Sequence, residues 1–322
     1  LWLNTTSAEL YTCTDATTDA NVWYNAGGGE GDVQPWNFPG TISGYAVGGE
    51  NAGRHNVIDK FSLTSDGNAS DVADLTIART DTSAQRSSTH GYCSAGTTGT
   101  SQTRIDKWIY SSDANATTVG DVSVARENVA GQSSNTHGYV TGGEPSAKNE
   151  IDKFSFATDG NSSDIGNLTV GRAAPTGQSS QTHGYSSGGT AGPATNVVDN
   201  FSFSTDGNAS DVGDLTVSRR SAAGSSSTTH GYAAGGAFSG QHNVIDKFTF
   251  ASNANATDVG DLTNNRGSMA GVTSTTHGYA AGGYLSGVNQ NVIDKYSFSA
   301  NNNATDVGDL TFVRYGTAGT QN

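Results

Sequence analysis

Apolar residues along this chain are mostly small, and where larger ones gather they recur at every second position. In the stretch 243–250, Val244, Asp246, Phe248 and Phe250 share one face of a two-residue period, the period of a β-strand. Just before it, Thr229-His230-Gly231-Tyr232-Ala233-Ala234 reads as a second strand, stopped by Gly235 and Gly236. Before that, 222–227 is a short strand of Ala, Gly and Ser. A turn at 253–257 and a last short strand around Val259, Gly260, Asp261 and Leu262 follow, and Arg266 leads into the next unit. No segment spaces its apolar residues three and four apart, so the pattern predicts strands and turns throughout.

The unit repeats. His-Gly-Tyr, followed two residues later by Gly-Gly, begins at His137, His183, His230 and His277, a step of about 47 residues. A variant begins at His90, where Ala95-Gly96 replaces the glycine pair, and a worn copy stands at Ser43-Gly44-Tyr45 with Gly48-Gly49. Six copies of four short strands each are the signature of a β-propeller. The landmarks run in order: an Arg, a small-residue strand, a Tyr-x-x-Gly-Gly strand, an alternating strand, then a short strand after a turn. This order resembles the kelch repeat over about residues 41–322. Kelch blades carry a Trp on the fourth strand. Here the slot holds Val72, Val119, Ile165, Val212, Val259 and Val307, which implies a thinner-packed relative.

The ends are in phase. The first copy opens on its second strand at 41–45, and the last runs past Arg314 into 318–322, which matches 270–274. The C-terminus therefore supplies the missing first strand and removes an open sheet edge. The expected fold is all-β: a six-bladed, kelch-like β-propeller closed by a C-terminal strand. Residues 1–40 lack the repeat. Alternation in 1–5, 10–14 and 21–25, with turns at 7–9 and 16–19, predicts a small β-meander, and the Gly-rich stretch 27–31 a flexible joint. The domains are thus 1–40 and 41–322. A meander this small needs a neighbouring segment or a partner chain to pack on.

Charge narrows the function. A net charge of −14, from 30 acidic against 16 basic residues, argues against nucleic acid and anionic membrane surfaces. No apolar run approaches the roughly 20 residues of a membrane span. Cys13 and Cys93 are too few for a disulfide framework. Cys93 fills a slot that holds Ala, Val or Ser elsewhere and reads as a small buried filler. The chain starts at Leu1 with no signal-type segment, which reads as processed or cut from something longer.

Strand parity sorts the loops. Those after strands one and three share one face, and their turns are near copies, such as Asp66-Gly67-Asn68-Ala69-Ser70 and Asp206-Gly207-Asn208-Ala209-Ser210. Those after strands two and four share the other face and diverge, at 50–55, 97–103, 144–148, 190–195, 237–242 and 284–290. The residue after the repeated Arg diverges too: Thr80, Glu127, Ala173, Arg220, Gly267, Tyr315. Binding residues are therefore sought there, with Arg54, His55, Phe238, His242, Tyr284 and Leu285 as candidates against neutral loop drift.

Other patterns have two readings. The repeated His has no second ligand at short spacing, so hydrogen-bonded packing between blades is preferred to a metal. Asp66, Asn68, Ser70 and Asp74 have the spacing of an oxygen-ligand loop for calcium, but lack the Gly and closing Glu of an EF-hand and also suit a tight turn. No other cofactor is implied. Asn68, Asn115, Asn161, Asn208, Asn255 and Asn303 each begin Asn-x-Ser/Thr, a glycan acceptor in a suitable host or simply repeated turn composition. The repeated Asp of Asp-Lys, as in Asp106-Lys107, reads as an interblade partner for Arg79 or Arg126 and their copies. No nucleophile elbow, phosphate loop, zinc spacing or catalytic carboxylate pair is present, which argues against an enzyme.

Three strings are more particular: Leu1-Trp2-x-Asn4-Thr5-Thr6 with Leu10-Tyr11-x-Cys13-Thr14-Asp15 and Asn21-Val22-Trp23; Ile-Asp-Lys-Phe-x-Phe-Ala-Thr-Asp-Gly-Asn at 151–161 with Asp-Val-Gly-Asp-Leu-Thr at 211–216; and Ser-Ser-x-Thr-His-Gly-Tyr at 179–185. Together they resemble marine, cyanophage-like tail-fibre and virion appendage proteins over nearly the whole chain. The resemblance implies a non-enzymatic virion structural protein, exposed outside the cell. It would join other virion proteins through the N-terminal module, as an oligomer or not, and carry a propeller head for host-surface glycan or protein. The alternatives are a cell-surface or secreted adhesion propeller of a bacterium or archaeon, and a divergent propeller enzyme.

Overall fold

A computed structural model describes residues 2–4, 9–18, 21–25 and 38–322 and divides the chain into two units, Leu1–Asn37 and Phe38–Asn322. In the first unit Trp2–Asn4, Glu9–Asp15 and Val22–Asn25 form an antiparallel sheet in chain order. Asp15 Oδ1 accepts from the Thr17 amide at 2.9 Å and from its hydroxyl at 2.6 Å, which shapes the second turn. Glu9, expected in the first turn, opens the second strand. The rest of that turn and the glycine joint at 27–31 lie outside the described residues.

The second unit is a six-bladed β-propeller, and among the described residues there is no helix. Blade 2 shows the plan: Ser83–Arg86 innermost, then His90–Ser94, Gln102–Ile109 and Thr117–Arg126. The innermost strands of blades 3 to 6 are Ala130–Ser133, Thr176–Ser179, Ala223–Ser226 and Ala270–Thr273. Blade 1 takes its innermost strand from the far end of the chain. Ala318–Gln321 pairs with Ser43–Val47, Ala318 opposite Val47 and Gln321 opposite Gly44. The six innermost strands neighbour one another around a closed circle.

That circle is tight enough to dictate sequence. A Cβ at Gly131 would strike the carbonyl oxygen of Ala84, one at Gly177 that of Gly131, one at Gly224 that of Gly177, and so on through Gly271 to Gly319. Only Ala84 carries a side chain at this position. The Gly of His-Gly-Tyr answers a second demand. The ring of Phe248 lies where a Gly231 Cβ would stand, as Phe154 does at Gly138. The Tyr beside it stacks across the blade boundary: Tyr185 on Phe250 at 4.6 Å, Tyr139 on Phe203 at 4.7 Å. Such pairs add about 0.5–1.5 kcal/mol each beyond their burial.

The third strand departs from the single buried face that its alternation suggests. Ile245 and Asp246 are both buried, at 1% and 0% exposure, because neighbouring blades cover both faces. The buried Asp is what the repeated Arg needs. Arg219 pairs with Asp246 at 3.0 Å and donates to the carbonyl of Ala233 at 3.0 Å. Thr216, at the edge of the preceding blade, adds its amide at 2.9 Å and its hydroxyl at 2.6 Å to the same carboxylate. All six boundaries repeat this pair: Arg79–Asp106, Arg126–Asp152, Arg172–Asp199, Arg219–Asp246, Arg266–Asp294 and Arg314–Asp59.

The near-identical turns are clips of the same kind. Asn68 Oδ1 accepts from the Asp309 amide at 3.1 Å, and Asn115, Asn161, Asn208, Asn255 and Asn303 repeat the bond at the other boundaries. Asp66 pairs with Lys295 at 2.7 Å, Asp113 with Lys60 at 3.1 Å, Asp159 with Lys107 at 2.6 Å and Asp206 with Lys153 at 2.8 Å. These exposed pairs are worth at most about 1 kcal/mol each. Thus the turns are copies because each one fastens a blade to its neighbour.

Candidate functional site

The face opposite those clips is built on one backbone device per blade. After Gly-Gly the chain turns and bridges back to the residue that follows the repeated Arg. These bridges are Thr80 with Thr97, Glu127 with Glu144, Ala173 with Thr190, Arg220 with Ala237, Gly267 with Tyr284, and Tyr315 with Glu50. The glycines are required there: Gly235 and Gly236 sit at φ of 64° and 110°, in left-handed space.

One residue further in, six left-handed residues surround the axis: Asp81 at φ 55°, Asn128 at 54°, Ala174 at 49°, Ser221 at 57°, Ser268 at 59° and Gly316 at 67°. Each amide donates to the carbonyl of its counterpart in the blade before: Asn128 to Asp81 at 2.9 Å, Ala174 to Asn128 at 2.7 Å, Ser221 to Ala174 at 2.9 Å. Ser268 to Ser221 at 2.8 Å, Gly316 to Ser268 at 2.9 Å and Asp81 to Gly316 at 2.9 Å close the circle. The strain of the non-glycine members is tolerated because this ring satisfies every one of those amides.

The axis below is narrow. Its cavities measure about 70 and 90 Å³, and about 40 Å³ at the far end, where the Phe38 carbonyl accepts from Arg86 at 2.6 Å and Gln321 at 3.0 Å. At roughly 30 Å³ per water, each holds one to three waters. A ligand larger than a few waters must therefore sit outside the axis, and cavities of that size open on both faces: about 400 Å³ beside Phe238 on the variable face and about 380 Å³ beside Ile42 and Ile109 on the other.

That face is electrically divided. Glu50, Asp81, Glu127 and Glu144 lie over blades 1 to 3. Burial first, then the charges of Glu127, Glu50 and Glu144, together push the Asp81 carboxyl up to about 7, against the opposing pull of Arg54. The loops of blades 4 to 6, at 190–195, 237–242 and 284–290, contain no acidic residue. Arg220 stands there exposed, beside Phe238 at 39% exposure and a cavity of about 400 Å³.

The six residues expected to bind are spread over three adjacent blades and do not share one pocket. Arg54 lies 4.0 Å from Glu50. His55 packs tilted against Phe312, ring centres 4.6 Å apart, with Nε2 3.2 Å from the Asn51 carbonyl. His242 Nε2 lies 3.2 Å from the Phe238 carbonyl and holds that loop. Tyr284 packs on Tyr315 at 5.6 Å, and Leu285 is half-buried beside it. The loops are nevertheless tied together. Asn289 donates to Asn51 at 3.1 Å, and Ser286 to Gln241 at 3.3 Å. Phe238 and Tyr284 are the exposed aromatic members; His55 and His242 have local structural bonds. Asp81 and Arg220 were missed as candidates, although the variable slot after the repeated Arg pointed to Arg220.

No protein-family model matches the chain, and no curated protein matches it. The binding role therefore rests on the geometry.

Two readings of the other face need correction. The histidines do not bond across blades: His90 Nδ1 lies 2.8 Å from the hydroxyl of Thr89, and His230 Nδ1 2.8 Å from that of Thr229. Their rings lie 6.5 Å from the Tyr two residues on. The calcium spacing does not become a ligand set. Asp66 is held by Lys295, Asn68 Oδ1 is held by the Asp309 amide, and Ser70 and Asp74 lie at opposite ends of one strand. Among the described residues no three His, Cys, Asp or Glu side chains are placed to hold an ion. Cys93 is fully buried in the blade 1 and 2 core.

Proposed function

We propose that this chain is a non-enzymatic binding subunit whose variable face engages a glycan on a host surface. It is read as a phage tail-fibre or surface-decoration protein exposed on the virion and joined to other virion proteins through its N-terminal unit. One observation carries the reading. Every repeated turn on one face clips blade to blade, whereas the loops on the other face diverge and expose Phe238 and Tyr284, at 39% and 37%. Aromatic faces and fixed polar groups beside a shallow cavity suit sugar rings, which present both apolar C–H faces and hydroxyls. The virion role rests on the sequence strings at 1–23, 151–161 and 179–185.

The adhesion-propeller reading has its own support. Asn68, Asn115, Asn161, Asn208, Asn255 and Asn303 are all exposed on the face of repeated turns, where a glycan would not touch the variable loops. Intact mass of the chain from its native source separates the two readings: added hexose mass favours the adhesin, the bare mass the virion protein.

The binding claim is tested with the labelled full chain on a glycan array and on host cells. Binding should fall at least tenfold in a Phe238→Ala, Tyr284→Ala double variant and persist in Lys247→Ala on the other face. Equal loss in both, or in neither, would refute the assignment of the face.

A further inference from the structure

We propose that the cavity between the variable loops of blades 4 and 5 is a subsite for a carboxylate-bearing sugar, a uronic- or sialic-acid type of residue, with Arg220 taking the carboxylate. The inference rests on the glycan-binding reading above and names the ligand class of one part of that face.

The argument starts from two departures from the repeat. The slot after the repeated Arg holds Thr, Glu, Ala, Gly or Tyr in the other copies and Arg only at Arg220. The loop position after the bridge holds Asn51, Thr98, Ala191 or Leu285 in four other copies and an aromatic ring only at Phe238. The two meet at one place. Arg220 and Ala237 exchange backbone hydrogen bonds, the Arg220 amide to the Ala237 carbonyl at 3.1 Å and the reverse at 2.9 Å. Arg220 thus faces the residue next to Phe238, and both line the same cavity of about 400 Å³. That size lies within the range of small-ligand pockets.

The polar groups around it are committed in one direction. The Arg220 side chain makes no ion pair or hydrogen bond among the described residues, in contrast to that of its neighbour Arg219. Gln241 accepts from the Ser286 hydroxyl at 3.3 Å, which fixes its amide and leaves its NH₂ free to donate. Thr190 spends its proton on the carbonyls of Gly192 and Pro193 at 3.2 and 3.3 Å. Phe238 is held outward by its amide bond to the Gly240 carbonyl at 2.8 Å and by His242. The result is an unpaired guanidinium fork, an amide donor and an exposed ring on loops without a single acidic side chain. A guanidinium meets a carboxylate with two parallel hydrogen bonds, which a neutral hydroxyl cannot match. The sugar ring then lies on Phe238.

Titration calorimetry of the full chain with sialyllactose, oligogalacturonate, their methyl esters, sulfated lactose and lactose tests this. At least one acidic sugar should bind at least tenfold tighter than its ester. Arg220→Ala should abolish that preference, Arg220→Lys restore part of it, and Phe238→Ala weaken acid and ester alike. Binding of ester and acid with equal strength, unchanged in Arg220→Ala, overturns the subsite and leaves the glycan-binding face standing. Tighter binding of a sulfated sugar than of any carboxylate sugar overturns the ligand class. Failure of every sugar, with the chain also failing to adhere to host cells, overturns both readings.

Discussion

Arg219 and Asp246 form an ion pair of 3.0 Å with both side chains fully buried, while the very next residue, Arg220, stands in solvent. Two adjacent arginines therefore divide the molecule into scaffold and surface. Arg219→Ala leaves Asp246 as an unpaired buried charge and should cost about 3–5 kcal/mol. Arg220→Ala should stay within about 0.5 kcal/mol of the parent. Denaturant midpoints measured on the two variants side by side check the contrast.

The innermost ring predicts an asymmetry among small residues. Gly224→Ala drives a methyl into the carbonyl of Gly177 and should destabilise by about 1–3 kcal/mol. Ala84 already carries that methyl, so Ala84→Gly should change stability by under about 1 kcal/mol. Thermal melts of both variants decide it, and equal effects would mean that the ring is looser than its backbone contacts imply.

Removal of residues 318–322 unpairs Ser43–Val47 and opens the circle between blades 6 and 2. The truncated chain should lose its single cooperative melting transition in calorimetry and aggregate through the exposed strand edge.

Acid and base should act on opposite faces. Burial lowers the imidazoles of His90, His137, His183, His230 and His277 below 6.5. Their contribution is complete above the ordinary imidazole value and is lost as pH falls through it toward the lowered one. Asp81 runs the other way. Its carboxyl is raised from 3.8 to about 7, so the folded chain holds that proton more tightly and stability drops as pH rises across this window. Asp81→Asn should match the parent near pH 4 and melt higher near pH 8. A variant that melts lower near pH 8 would contradict the assignment.

The blade plan was legible because each landmark meets a demand that recurs at every boundary: Gly231 lies under a ring, Asp246 waits for Arg219, and 318–322 complete blade 1. What stayed hidden depends on residues brought together from different blades. Nothing in the spacing of Asp66, Asn68 and Asp74 shows that Lys295 and Asp309 have taken two of them. The left-handed ring was invisible because Ala174 and Ser221 carry no signal for positive φ; cross-blade amide bonds impose it. Arg220 and Phe238 are far apart in sequence, and only the bridge at Ala237 joins them.

Loops 190–195 and 237–242 are of equal length and share the same bridging scheme, Thr190 with Ala194 and Ala237 with Gln241. Replacement of 237–242 by the sequence of 190–195 should therefore preserve the fold and remove Phe238 and Gln241 together. Adsorption of this variant to host cells, measured beside the parent at equal melting temperature, is the most direct test of the account. The account predicts a loss of at least tenfold. Undiminished adsorption by a fully folded variant would contradict it.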